Sequence, residues 1–287
     1  MQKEVCNTAS CAIIIVTHNS LSYLEKCLAA ISKQSYAPKQ VLVVDSGSYD
    51  VSALLALTER FKVTIHLEKK NVGFCEGNNI GLSLVDPNTK YVLFLNPDVY
   101  LTSTFIEVAC AHLDDPLAED VGALSGLLLG YDHQLDRPTG LIDSTGIFQS
   151  WYGKWKDRGQ GDSIQKAYDF YHRSEFVPAL CGALMFCRLD ALRQVEFSQN
   201  IVMDPSFYMY KEDIDLSLRL RQKGWKLLYV PDLIAYHCRG WNVNRKEMSY
   251  PVRVLSAKNE MTLHARHSYP HYFYSAFKYY CVKLLNV

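Results

Sequence analysis

The sequence predicts an α/β fold, a mostly parallel mixed sheet flanked by helices. Three observations carry this. Short β-branched runs recur, as expected of strands buried on both faces. Amphipathic helical stripes alternate with them through the first half of the chain, the pattern of right-handed βαβ units. Acidic residues stand where the apolar runs end, and in such sheets ligands bind at the carboxyl ends of strands.

The elements follow in order. Residues 12–17 (AIIIVT) read as a first strand. Ser20 opens a helix with Leu21, Leu24, Leu28 and Ile31 on one stripe. Residues 41–44 form a second strand, ending at Asp45-Ser46-Gly47-Ser48, and a helix follows through Leu54, Leu55 and Leu57. Residues 63–67 are a third strand, and the Gly/Asn-rich segment 71–81 runs into a helix. Residues 91–95 (YVLFL) are a fourth strand, stopped by Asn96-Pro97-Asp98.

The second half is less regular. Residues 122–129 read as a strand, and 176–188 as another. Between them, 130–173 mixes Gly, Asp and aromatic residues and is expected to form an ordered insertion or lid. Residues 212–223 form an amphipathic helix, with Ile214, Leu216, Leu218 and Leu220 on its buried side and Gly224 as its cap. Residues 225–231 are the next strand.

Composition narrows the function. The chain has 287 residues, enough for one large domain or two small ones. Thirty basic residues balance thirty acidic ones, which argues against a general nucleic-acid binder. No apolar run approaches the ~18–20 residues of a membrane span, and the first residues lack the features of a signal peptide. A cytoplasmic protein is expected. The nine cysteines include no C-x-x-C pair and read as small core residues in a reducing compartment. Charge is unevenly spread: residues 239–287 carry eight basic residues against Glu247 and Glu260.

Four acidic sites recur at element ends: Asp45, Asp98, Asp143 and the Glu212-Asp213-x-Asp215 cluster. Each alone could be a cap or a turn. Their order and spacing together are less ordinary. IIIVTHNS (13–20), VVDSGSYD (43–50), NVGFCEGNNIGL (71–82), FLNPDV (94–99), CGALMFCR (181–188), FYMYKEDIDLSLRLRQKGW (207–225) and YVPDLIAYH (229–237) resemble, in order, the inverting nucleotide-sugar glycosyltransferases of family 2, which have the GT-A fold. DSTGI (143–147), DRGQG (157–161) and AKN (257–259) resemble the bacterial rhamnosyltransferase branch, whose donor is usually dTDP-L-rhamnose.

The resemblance implies an organisation: a GT-A domain over 1–238, with a donor half to about 125 and an acceptor half beyond it, then a basic, aromatic helical extension over 239–287. It also implies roles. A departing diphosphate builds negative charge, and a divalent Mg or Mn ion stabilises it. Asp98 and His237 resemble the metal ligands. Asn96 stands where the family has a second acid, leaving one fewer anionic ligand. Asp45 resembles the nucleotide-binding carboxylate. Thr17, Asn19 and the 46–48 loop frame that pocket, and Gly73, Gly77 and Asn78 shape its floor. The glycines would permit close backbone approach. Asp213 resembles the base that takes the acceptor hydroxyl proton. Of Glu212 and Asp215, one would bind acceptor or orient the base and the other cap the helix. Arg239 and Lys258 would neutralise the diphosphate. Trp151, Tyr152 and Trp155 either stack on a sugar or pack.

The expected reaction is transfer of a hexose, L-rhamnose by this resemblance, to a glycan or polyprenyl-diphosphate-linked saccharide in surface polysaccharide synthesis. A UDP-hexose donor is the alternative within the family. A metal-dependent nucleotidyltransferase is a rival, but 13–20 lacks its Gly/Arg/Lys-rich phosphate loop. A non-catalytic glycan-binding relative is a third. The aromatic, lysine-bearing C-terminus suits peripheral contact with the cytoplasmic face of an inner membrane, or packing under the sheet, or a dimer interface.

Overall fold

The computed structural model describes residues 8–238 and 248–285. The first half runs β1 (Thr8–Thr17), α1 (Leu21–Ile31), β2 (Ala37–Ser46), α2 (Val51–Phe61), β3 (Thr64–Glu68), α3 (Gly73–Ser83), β4 (Tyr91–Leu95), β5 (Val99–Leu101) and α4 (Phe105–Asp114). It continues through β6 (Val121–Asp132), β7 (Arg137–Ser144), β8 (Ile147–Gln149), β9 (Trp155–Asp157), α5 (Ile164–Phe170), β10 (Glu175–Phe176), β11 (Leu184–Arg188) and α6 (Leu189–Arg193). The last elements are α7 (Glu212–Gln222), β12 (Lys226–His237), α8 (Tyr250–His267) and α9 (Tyr269–Leu285).

Among the described residues ten strands form one sheet, ordered β10-β12-β6-β11-β4-β1-β2-β3, with β5 on β12 and β7 on β6. The β1–β2, β1–β4, β2–β3 and β6–β12 pairs are parallel. β11 is antiparallel to both of its neighbours. Its reversal joins the parallel β1–β4 half to the β6–β12 half.

Local chemistry explains the elements. Ile13, Ile14 and Ile15 are wholly buried in β1, because helices cover both faces of a parallel sheet. The α1 stripe buries Leu24, Cys27, Leu28 and Ile31. Asp50 caps α2 by accepting from Ala53 N at 3.1 Å. Arg188 ties the end of β11 to the carbonyls of Val121, Leu113 and Ala118. Seven of the eight described cysteines are buried, and all eight are free thiols. No helix of the described residues is long and apolar enough to cross a membrane.

Three expectations need correction. Residues 176–188 are not one strand. They form β10, a buried turn over 177–183, and then β11; Pro178 supplies no ladder donor there. The segment 130–173 is an ordered insertion that carries strands, since β7 pairs with β6 and β8 with β9. It is a wall built onto the sheet.

The strand expected to stop at Pro231 runs on to His237 through an irregularity: Val230 aligns with Gly126 and Ile234 with Leu127, so three residues loop out. Gly126 makes this possible. A Cβ there would lie 1.8 Å from the Leu233 carbonyl oxygen. Gly126→Ala is therefore expected to lower stability by roughly 1–3 kcal/mol or more, the usual cost of overpacking. Urea unfolding measures this, and a wild-type midpoint would contradict it.

Candidate active site

Three strands converge on His237. β5 turns back after Asp98 and sets Val99 beside His237. β6 runs parallel to β12 and pairs on its other side with β7, which carries Asp143. The imidazole is buried between two carboxylates: Nδ1 lies 2.7 Å from Asp143 Oδ2, and Nε2 lies 3.4 Å from Asp98 Oδ1. Burial opposes its charge, but Asp98 and the hydrogen-bonded Asp143 outweigh that and push its pKa up to about 9.

This group opens on a cleft of about 490 Å³, lined also by Asn96, Trp155, Asp157, Lys211, Glu212 and Asp213. Asn96 is fixed through its backbone N–H to Ala183 O. Its Oδ1 is buried and finds no hydrogen-bond partner among the described residues, and the same holds for Glu212 Oε2 and Trp155 Nε1. Such orphaned polar atoms are costly unless a ligand meets them.

Opposite stands the N-terminus of α7. The chain reaches it through a strained turn: Tyr208, Tyr210 and Lys211 have φ of 61°, 72° and 76°, left-handed values that non-glycine residues avoid. Asn259 of α8 holds this turn. Its Nδ2 donates toward the carbonyls of Phe207, Met209 and Tyr210 at 2.8–3.0 Å. Tyr208 O accepts from Phe74 N and Cys75 N at the start of α3. The Tyr208 hydroxyl donates to Asn71 Oδ1 at 2.8 Å.

Glu212 and Asp213 follow. Asp213 accepts from Gly182 N at 3.0 Å through Oδ2 and from Ile214 N at 2.8 Å through Oδ1. Burial pushes both acids up, Glu212 to about 8 with help from the Asp213 charge. The two N–H groups on Asp213 oppose its burial only in part, and its carboxyl stays above the usual range. Glu212, at about 8, holds a proton near neutrality. Asp215 plays another part. It is buried, and it binds Arg219 Nε at 2.8 Å and His267 Nε2 at 2.9 Å, tying α7 to α8.

The residues expected around a nucleotide gather at a second point. Thr17 and Asp45 are register partners at the ends of β1 and β2. Asp45 Oδ2 accepts from Ser48 N at 3.0 Å, while Oδ1 is buried without a partner. Thr17 Oγ1 lies 2.7 Å from Ser20 Oγ. Asn19 bridges to the next loop, its N–H donating to Ser48 Oγ and its Oδ1 accepting from Tyr49 N.

Gly73, Gly77 and Asn78 have packing reasons instead. A Cβ on Gly73 would lie 2.4 Å from the Tyr208 ring, and one on Gly77 2.6 Å from Val16. Asn78 donates to Phe74 O within α3. Lys258 is exposed on α8 and does not line the cleft, though Ser256 does. Arg239 lies outside the described residues. Trp155 is buried on the cleft wall, whereas Trp151 is 90% exposed.

Sequence reasoning thus finds six residues that meet in one cleft: Asn96, Asp98, Trp155, Glu212, Asp213 and His237. It flags Asp143 as acidic without a role and quotes Asn259 only within a motif. Tyr208 and Lys211 it likewise quotes only within a motif, with no role. Among the described residues no group of three or more His, Cys, Asp or Glu side chains forms a metal cluster. Asp98 and His237 supply two donors, a number that suits Mg or Mn, which keep phosphate and water ligands.

Comparison with known proteins points the same way. Residues 12–124 match the family model "Glycosyl transferase family 2". The chain is 26% identical over 250 residues to the N-acetylglucosaminyl-diphospho-decaprenol L-rhamnosyltransferase of Mycobacterium tuberculosis, covering 83% of this chain and 79% of that protein. It is 26% identical over 235 residues to rhamnosyltransferase WbbL of Escherichia coli, covering 78% and 82% respectively. The structure of GalNAc-T7 with UDP, GalNAc and Mn2+ superposes with a TM-score of 0.66 at 15% identity. That alignment covers 90% of this chain and 48% of GalNAc-T7, and it shows that the fold is GT-A.

The Glu212 shift has a consequence for stability. Its folded pKa of about 8 stands above the ordinary 4.5. The folded state binds that proton more tightly, so this contribution is full below pH 4.5 and is lost as pH rises through 8. Melting temperature is expected to fall more between these pH values in the wild type than in Glu212→Gln. Parallel profiles would contradict the shift.

Proposed function

We propose that this chain, a family 2 glycosyltransferase by the domain it carries at residues 12–124, transfers L-rhamnose from dTDP-L-rhamnose to a lipid-linked saccharide with inversion, in surface polysaccharide synthesis. The observation that carries the reading is one cleft with Asp213, held by two backbone N–H groups, on one wall and Asp98 with His237 on another. The sugar and the lipid-linked acceptor rest on the names of the two rhamnosyltransferases. In this reading residues 1–125 bind the donor, with Asp45, Thr17 and Asn19 at its nucleotide, and residues 126–238 bind the acceptor. The free buried thiols suit a cytoplasmic site of action.

The chain's residues divide the work. Asp213 takes the proton of the attacking hydroxyl, worth ~10²–10⁴ in rate. Gly182 N and Ile214 N hold its carboxylate in place. Glu212 holds a proton near neutrality and can donate a hydrogen bond to the acceptor. Asp143 accepts from Nδ1 of His237 and so leaves Nε2 on the Asp98 side. Bound there by Asp98 and His237, a divalent cation would neutralise charge on the departing diphosphate. Asn96 Oδ1 and Trp155 Nε1 offer unmet polar atoms to the sugar or phosphate.

The test is a thermal-shift screen of nucleotide sugars with and without Mn2+, followed by transfer assays. A ligand that binds only the native state raises the melting point. dTDP-L-rhamnose with Mn2+ is expected to give the largest shift, and chelation or Asp98→Ala to abolish transfer. Asp213→Asn is expected to bind donor yet lose ~10²–10⁴ in turnover. A larger shift with a UDP-hexose would reassign the donor. Wild-type transfer by Asp213→Asn would overturn its role.

A further inference from the structure

The last helix is unusual in which face it hides. α9 buries Ser275 and Val282, a narrow strip. Tyr269, Phe273, Phe277, Tyr280 and Leu284 follow one another at steps of four, four, three and four, which places them on one helical face. All five are exposed, Phe277 by 72% and Leu284 by 74%. A surface helix normally turns such a stripe inward. An apolar exposed patch of this kind marks an interaction site.

The patch continues onto the insertion. His271 Nε2 lies 3.2 Å from Trp151 O, and the Tyr152 ring meets Tyr274 edge-on at 6.1 Å. Trp151, the exposed indole, therefore stands beside α9. Four residues further on, Trp155 lines the cleft. The stripe and the catalytic wall belong to one connected piece of structure.

Charge selects the occupant. The α8–α9 hairpin carries Arg253, Lys258, Arg266, Lys278 and Lys283 against Glu260 alone. Glu260 is buried and ion-paired with Lys278, so this hairpin presents no carboxylate to solvent. Lys283 lies exposed at the edge of the stripe, beside the Tyr279 ring. Arg266 is paired with Asp204 and Asp215, and Lys278 with Glu260, so the exposed charge beside the stripe is that of Lys283. A two-fold contact of this face would bury that cation and bring no hairpin acid to meet it. Tyrosine, tryptophan and lysine around an apolar strip instead match the headgroup region of a bilayer, where rings sit at the boundary and lysines reach phosphate.

We propose that the outer face of α9, with Trp151, is a docking surface for an anionic membrane, and that it holds the catalytic cleft at the bilayer surface. The docking stands without the donor assignment. It gives the lipid-linked acceptor of the proposed reaction a short path to the cleft.

The test is co-sedimentation of the full chain with phosphatidylcholine vesicles containing phosphatidylglycerol, against pure phosphatidylcholine. Phe273→Ser/Phe277→Ser is compared with the wild type, with circular-dichroism melting as the check on folding and sedimentation velocity as the check on association. The wild type is expected to bind the anionic vesicles, less so as salt rises. The double variant is expected to melt normally and bind about tenfold more weakly or worse. No binding by the wild type, or equal binding by the variant, overturns the proposal. A wild-type dimer that the variant dissolves also overturns it, since the stripe would then be covered by a second copy. The measurement uses neither donor nor acceptor, so its failure leaves the transfer reading untouched, and failed transfer leaves the docking surface testable.

Discussion

The turn before α7 is the constraint on which the site depends. Three left-handed non-glycine residues within four positions do not persist without outside restraint. The restraint comes from three parts of the chain. Asn259 of α8 reaches three carbonyls of the turn. α3 donates two backbone N–H groups to Tyr208 O. Gly73 leaves room for the Tyr208 ring that no side chain could share. α3 near the start of the chain and α8 near its end therefore meet at the residues immediately before Glu212 and Asp213. The geometry of the acids is set by the whole assembly rather than by α7 alone.

The second wall of the cleft is built by strand pairing. β12 must run past Pro231 for His237 to reach Asp98 and Asp143, and the bulge over Gly126 lets it do so. The result is a buried imidazole flanked by two carboxylates, one orienting the ring and one facing the cleft. The cleft thus sets a buried acid pair, both members raised by burial, against a compact polar cluster.

Much of the fold is legible in the sequence because local pattern determines it. A continuous apolar run gives β4 to the residue and the end of β1 though not its start at Thr8, and Asp45 and Asp98 fall at or just past the ends of β2 and β4. What is not legible depends on distant partners. Asp143 meets His237 across 94 positions, and Asn259 meets Phe207 across 52. Neither local spacing nor propensity encodes those contacts. Pro231 reads as a stop because its bulge depends on a glycine in another strand. Gly73 and Gly77 read as ligand glycines, yet Tyr208 and Val16 occupy the space a Cβ would need. Motif reading identifies which residues matter, and tertiary packing decides what several of them do.

The central claim is that the clamped turn holds the base in place. The most direct measurement is steady-state sugar transfer by Asn259→Ala, with donor affinity read in parallel by thermal shift. The account predicts a folded protein that binds donor as the wild type does and loses about tenfold or more in kcat, because misplacing a catalytic group by an ångström is enough for such a loss. Unchanged kcat in that variant would show that the turn keeps its shape without Asn259 and would contradict the account.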